Sequence, residues 1–228
     1  MNDFVIPAPP SPSVRVAGGR SFPVRRIFCV GRNYAEHARE MGHDPDREPP
    51  FFFTKPADAL VMDGADMPYP SGTADLHHEV ELVIALGRGG ADIPVAEAGQ
   101  CVWGAAVGLD MTRRDLQAEA KRLGRPWDMA KGFDQSAPIG VLVPADPAWL
   151  FDRGSITLEV NGALRQSGDL AQMIWSVPEV IAALSRLVRL APGDLVFAGT
   201  PAGVGQVGRG DRLVGRIAGL PNLETRVA

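Results

Sequence analysis

The chain has 228 residues, 27 acidic against 23 basic side chains and a net charge of −4. That length can bury a core of its own without a stabilising metal or disulfide, and the slightly acidic balance, with no dense Lys/Arg run, argues against a nucleic-acid binder. Hydrophobic residues at 45% exclude general disorder, and 26 glycines with 20 prolines argue against a helix bundle and for many short strands and turns.

Residues 1–24 are rich in Pro, Ser and Gly and read as an N-terminal arm, and 25–228 as one domain. Their start lacks a basic stretch followed by an apolar one, so no secretory signal is expected. Residues 25–30 read as a strand. Asn33 and Glu36 are spaced as a capping box for a short helix over 34–41, stopped by Gly42. A polar, Pro-rich loop follows to residue 50. Residues 51–53 and 59–61 read as short strands. Residues 79–86 alternate and then turn continuously apolar, and 102–109 form a second buried strand. A short helix is predicted over 115–123, ended by Gly124. The strand 156–160 runs into Asn161-Gly162, which suits a type I′ hairpin turn. Ser176, Pro178 and Glu179 open the clearest helix, with Val177, Ile181, Leu184 and Val188 on one stripe. Residues 195–198 and 213–217 are further strands. The fold class expected is mixed and mostly β (α+β), with short helices at the edges.

No apolar run approaches the ~18 residues of a membrane span. Cys29 and Cys101 have no framework spacing and read as two buried thiols in a reducing, cytoplasmic setting. Gly203 to Gly208 matches G-x-G-x-x-G, but a turn and strand follow where a dinucleotide site needs a helix N-terminus, so it reads as a turn. No P-loop lysine follows a glycine loop. His77-His78-Glu79 contains H-x-E without the C-x-x-C half of a zinc deaminase, and neither Ser136 nor Ser185 sits in a G-x-S-x-G elbow.

Three acids carry the chemistry. Glu79 and Glu81 are two apart, so in a strand they share a side while Val80, Leu82 and Ile84 pack on the other. Two glutamates projecting together repel unless a positive charge lies between them. The alternative is a solvated strand face, which the apolar continuation and the two preceding histidines count against. Asp110 emerges at the end of the apolar strand 102–109. Three oxygen donors without cysteine suit a hard divalent ion such as Mg²⁺ or Mn²⁺. They leave one negative charge in excess, which Lys131 could offset while touching an anionic substrate; otherwise it is a surface lysine. His37 and Glu40, three apart on the predicted helix, share a face and can act as an oriented general base or as a surface ion pair.

Together these segments resemble the fumarylacetoacetate hydrolase family. The matching stretches, in order, are Val30-Gly31-Arg32-Asn33-Tyr34 with Glu36-His37 and Arg39-Glu40-Met41, then Phe53-Thr54-Lys55-Pro56 and Leu76 to Leu82. They continue with Gly108 to Thr112, Arg114-Asp115, Gln117, Pro126-Trp127, Lys131, Val160-Asn161-Gly162, Arg165-Gln166 and Met173-Ile174. They finish with Phe197 to Pro201 and Gly203-Val204-Gly205. Within the family the arm, the 42–53 segment, Met111 to Asp115 and Gly124 to Trp127 resemble the branch that hydrolyses acylpyruvates.

The resemblance implies a β-roll, a homodimer, and Mg²⁺ or Mn²⁺ held by Glu79, Glu81 and Asp110. It implies a His37–Glu40 dyad over the substrate, Lys131 as a catalytic lysine, Thr200 lining the site, and Arg114 and Gln117 on a substrate-contacting helix. Arg32 is expected as a further substrate contact. The reaction expected is hydrolysis of a C–C bond in a 2,4-dioxo acid, fumarylpyruvate giving fumarate and pyruvate in aromatic degradation through gentisate. Arg47 is the expected partner of the substrate's far carboxylate, with Arg125 in reserve. A general acylpyruvase or oxaloacetate decarboxylase, and a non-catalytic metal- or ligand-binding protein, are the alternatives.

Overall fold

The computed structural model describes residues 4–35, 48–146 and 151–228. His37, Glu40 and Arg47, with most of the predicted 34–41 helix and the loop after it, lie outside the described residues. The architecture is mixed and mostly β, built on a curled half-barrel sheet. Its strands run in the order Phe51–Lys55, Arg26–Gly31, Asp194–Phe197, Val80–Leu86, Val102–Leu109, Ala137–Ile139, Leu60–Met62. A second, five-stranded sheet is ordered Ala163–Asp169, Ser155–Val160, Arg212–Ile217, Leu223–Val227, Asp66–Met67.

The apolar runs lie in the middle of the first sheet because both its faces are covered. Along Val80–Leu86, Val80, Leu82, Ile84 and Leu86 face a core shared with Ile156, Leu158, Leu213 and Leu223 of the second sheet. Val83 and Ala85 face the opposite way, into a core with Ile27, Cys29, Ala106, Leu195 and Phe197. A strand buried on both sides gains nothing from alternation, and the sequence shows a continuous apolar run there. The N-terminal arm carries a hairpin, Ser13–Arg15 with Ser21–Pro23, whose Val14, Val16 and Phe22 close this second core.

Local rules hold at the turns. Asn161 and Gly162 take φ of 53° and 80°, the paired positive values of a type I′ turn. Helix Arg114–Leu123 ends on left-handed Gly124, φ 62°. Helix Val177–Leu187 starts with the Glu179 carboxylate accepting from both the backbone N–H (2.9 Å) and the hydroxyl (2.8 Å) of Ser176. In the G-x-G-x-x-G segment, Gly203 at φ 94° turns the chain into the strand Gly205–Gln206, which pairs with Leu76–His78. The dinucleotide reading is thereby excluded. The Asn33 amide donates to the carbonyls of Trp175 (2.9 Å) and Ala198 (2.8 Å) and accepts from Trp175 N (2.7 Å), tying distant segments together, while Glu36, the other half of the expected capping box, lies outside the described residues. Both cysteines are buried and free, and no described helix is long and apolar enough to cross a membrane.

Candidate active site

The site forms where paired strands leave one sheet for another. Leu76–His78 and Thr112–Arg113 pair in a small three-stranded sheet; their continuations Val80–Leu86 and Val102–Leu109 pair in the large one. Glu79 and Asp110 are the corner residues of these two crossings, and Asp110 N donates to Glu79 O at 2.8 Å. One position into the large sheet, Glu81 pairs with Gly108 and shares a face with Val83. The fixed register therefore converges three carboxylates whose oxygens lie within 4.8 Å of one another, all buried.

Gly108 and Gly199 make room for this convergence. A Cβ on Gly108 would lie 2.4 Å from Val83 Cγ2 and 2.7 Å from the Phe197 ring. Gly199 follows the strand Asp194–Phe197 at φ 95°, with Asn33 Cβ 2.7 Å from where its own Cβ would be, and its N–H donates to Glu81 Oε2 at 2.8 Å. No other residue type holds that φ beside Asn33 without displacing one of them.

The cations divide unevenly among the acids. Lys131, at the end of the short helix Asp128–Lys131, bridges Glu79 Oε2 (2.8 Å) and Asp110 Oδ2 (2.7 Å). Arg114 Nη2 reaches Glu79 Oε1 at 2.6 Å, and its Nη1 donates to Gln117 Oε1 at 2.7 Å. Lys55, fully buried, lies 2.8 Å from Asp110 Oδ1 as an ion pair outside hydrogen-bonding alignment, and donates to the carbonyls of Met111 (3.1 Å) and Lys131. Glu81 meets only the Gly199 N–H among the described residues. Burial, and then the charges of Asp110 and Glu79, push its carboxyl well above the ordinary range. For Lys131 burial opposes the charge, but Asp110 and Glu79 outweigh it and hold the ammonium more firmly protonated than usual.

Three buried carboxylates, one with no cationic partner among the described residues, fit a hard divalent cation with oxygen ligands. A cleft opens on them, lined by Arg32, Phe51, Phe53, Arg114, Gln117, Lys121, Trp127, Lys131 and Thr200, among others. The structure thus gathers Arg32, Glu79, Glu81, Asp110, Arg114, Gln117, Lys131 and Thr200 in one place. Arg125 is not among them: it is an exposed side chain 3.9 Å from Glu119, lining the neighbouring cleft. Thr200 is constrained, because its hydroxyl donates to Val80 O (2.7 Å) and accepts from Gln166 Nε2 (2.8 Å).

Gln166 and Lys55 escape residue-level reasoning, although both stand in quoted stretches. Gln166 is buried with four partners. Its Oε1 accepts from Val80 N (3.0 Å), and its Nε2 donates to Pro201 O (2.9 Å) and Thr200. A peptide N–H can only donate and a carbonyl can only accept, so the amide orientation is settled and His78 Nδ1, 2.9 Å from Oε1, carries the hydrogen. Burial lowers the His78 pKa, keeping that ring neutral. Outside its motif, Lys55 reads only as a lysine ending an aromatic strand. The wall of Phe51, Phe53 and Trp127, with ring centroids 5.4 and 6.0 Å apart from Trp127, is likewise visible only in three dimensions.

Residues 26–228 match the family described as "Fumarylacetoacetate (FAA) hydrolase C-terminal". Fumarylpyruvate hydrolase from Pseudomonas aeruginosa, crystallised with Mn²⁺ and pyruvate, is 54% identical and superposes with a TM-score of 0.95 over 99% of each chain. Fumarylpyruvate hydrolase of Ralstonia sp. is 42% identical over 189 residues, 82% of this chain and 98% of the relative. Human mitochondrial oxaloacetate tautomerase FAHD1 is 40% identical over 203 residues, 89% of this chain and 91% of the relative. The chain belongs to the fumarylacetoacetate hydrolase family.

Proposed function

We propose, from its membership of that family, that the chain is a hydrolase cleaving a carbon–carbon bond of a 2,4-dioxo acid, with fumarylpyruvate, giving fumarate and pyruvate, as substrate. The observation that carries this reading is the buried Glu79–Glu81–Asp110 set bridged by Lys131 beside Arg114 and Gln117, in a chain 54% identical to a fumarylpyruvate hydrolase crystallised with Mn²⁺ and pyruvate.

Glu79, Glu81 and Asp110 would hold Mg²⁺ or Mn²⁺, which supplies Lewis acidity toward the substrate's 2-oxo oxygen. Arg114 braces Glu79 and takes up Gln117 Oε1, which leaves Gln117 Nε2 to donate to the substrate's 1-carboxylate. His37, oriented by Glu40, takes a proton from water as its oxygen attacks C4. The C3–C4 bond breaks, its electron pair passing into the pyruvate enolate, and the proton held by His37 returns to C3. Lys131, held cationic by its two carboxylates, stabilises the negative charge developing on the enolate. Arg32 and Thr200 line the cleft and shape the substrate's path.

The test is turnover of fumarylpyruvate, followed by loss of its enol absorbance and by pyruvate formation. Activity should vanish in EDTA and return with Mn²⁺ or Mg²⁺. His37→Ala should lower kcat roughly 10²-fold while metal content is retained. A metal-loaded protein that turns over no acylpyruvate overturns the reading. A second reading, oxaloacetate keto–enol interconversion, is favoured by the FAHD1 likeness. It needs no attacking water, so oxaloacetate tautomerisation surviving His37→Ala while acylpyruvate hydrolysis is absent would select it.

A further inference from the structure

We infer that Lys121 binds the far carboxylate of the substrate and so selects a dicarboxylic 2,4-dioxo acid over a monocarboxylic one; the inference rests on the acylpyruvate hydrolase reading above. Arg114, Gln117 and Lys121 stand at i, i+3 and i+7 of the helix Arg114–Leu123, one stripe of one face, and all three line the cleft. Two of the three acids already have their cations. Lys131 and Arg114 serve Glu79, and Lys131 and Lys55 serve Asp110. Glu81 is the acid left for the metal, and Lys121 pairs with none of the three, so Lys121 is surplus to that cluster.

No carboxylate among the described residues lies within ion-pair distance of Lys121. Its ammonium stands 5.2 Å from the Trp127 ring centroid, and Arg32 lies 5.3 Å from the Phe51 ring on the same cleft wall. Burial, and then the positive charges of Arg114 and Arg32, pull the Lys121 pKa down. An anion placed among these groups relieves that repulsion, and an ammonium beside aromatic faces is ready to accept it.

The spacing also suits the ligand. Four residues of helix separate Gln117, the partner of the 1-carboxylate, from Lys121 by about 6 Å along the axis, a span that the long lysine side chain extends. Six carbon–carbon bonds of about 1.5 Å carry the two carboxylates of a seven-carbon dioxo acid roughly 7–8 Å apart. With the 1-carboxylate near Gln117 and the triad, the far one falls toward Lys121 and the aromatic wall. The flat, unsaturated carbon skeleton between them would lie against Phe51, Phe53 and Trp127.

The test compares kcat/KM for fumarylpyruvate and for acetylpyruvate, which lacks the far carboxylate, in wild type, Lys121→Met and Lys121→Arg, each loaded with Mn²⁺. Methionine keeps the apolar stem over Trp127, and an unchanged thermal midpoint verifies the fold. Lys121→Met should lower the fumarylpyruvate-to-acetylpyruvate ratio roughly tenfold or more, through KM, as loss of a charge-assisted hydrogen bond requires. Lys121→Arg should recover most of the ratio. An equal fall on both substrates would show that Lys121 acts only through Trp127 packing and overturns the inference. An unchanged ratio also overturns it and moves the carboxylate to Arg47 or Arg125. If wild type cleaves neither acid, the functional reading itself has failed before any substitution, and the inference falls with it.

Discussion

Glu81→Gln should make the metal-free protein more stable and, in the same stroke, remove most of its response to metal. Glu81 is a buried carboxylate whose only partner among the described residues is one peptide N–H, at 2.8 Å. It lies with Glu79 and Asp110 in a set whose oxygens are within 4.8 Å of one another. Two like charges at that distance repel by about 3 kcal/mol at an effective dielectric of 20. Lys131, Lys55 and Arg114 offset part of this, so a net relief of about 1–3 kcal/mol is expected. Glutamine is nearly isosteric, and its amide oxygen still accepts from Gly199.

For a domain of this size, that relief should raise the midpoint by about 2–10 °C in EDTA. Wild type should gain a comparable amount from Mn²⁺ at about 100 times its dissociation constant, where linkage supplies about 2.7 kcal/mol. The variant, short of one anionic ligand, should gain little. The pH dependence follows the same logic. Because the folded pKa of Glu81 lies above its ordinary value of 4.5, the unfolded chain releases that proton first. Stability of the metal-free wild type should therefore fall as pH rises from the ordinary value toward the raised one, and Glu81→Gln should lack that component. Differential scanning fluorimetry in EDTA and in Mn²⁺ reads all of this. A metal-free variant less stable than wild type, or one with the full Mn²⁺ shift, refutes the reasoning.

Lys55→Met keeps the volume but leaves Asp110 buried with one lysine instead of two; urea unfolding should show a loss of about 3–5 kcal/mol, and metal affinity measured by titration should change too. Gln166→Leu strands the Val80 N–H, the Pro201 carbonyl and the His78 Nδ1–H at once, so a loss of at least about 2 kcal/mol is expected by the same assay. Gly199→Ala should be poorly stable or insoluble, since φ 95° is strained for alanine and its Cβ would meet Asn33 Cβ at 2.7 Å; a midpoint equal to wild type would show that the backbone there relaxes freely.

What the sequence determined by itself was everything governed by near neighbours along the chain. The Asn161-Gly162 turn, the Ser176–Glu179 helix start, the Gly124 stop and the doubly buried strand 80–86 are set by local sterics, capping and hydrophobic run length, and these act within a few residues. The Glu-x-Glu alternation belongs here too, because the period of a strand places alternate side chains on one side whatever surrounds it. The ordered motifs that mark the family were legible for the same reason: they are strings.

Tertiary structure alone decided how those strings meet. Asp110 joins Glu79 because two paired strands change sheets at the same register, a relation between positions 31 residues apart. Asn33 ties Trp175 to Ala198, a link between segments far apart in the chain, since a buried amide goes where unpaired backbone groups face it. Lys55 reads as an ordinary lysine in one dimension and becomes a buried partner of Asp110 only when its strand comes to the sheet edge. Lys121 is a polar residue on an amphipathic helix until the charges around it are counted. Electrostatic pairing depends on distance through space, and the order of residues along the chain does not carry that distance.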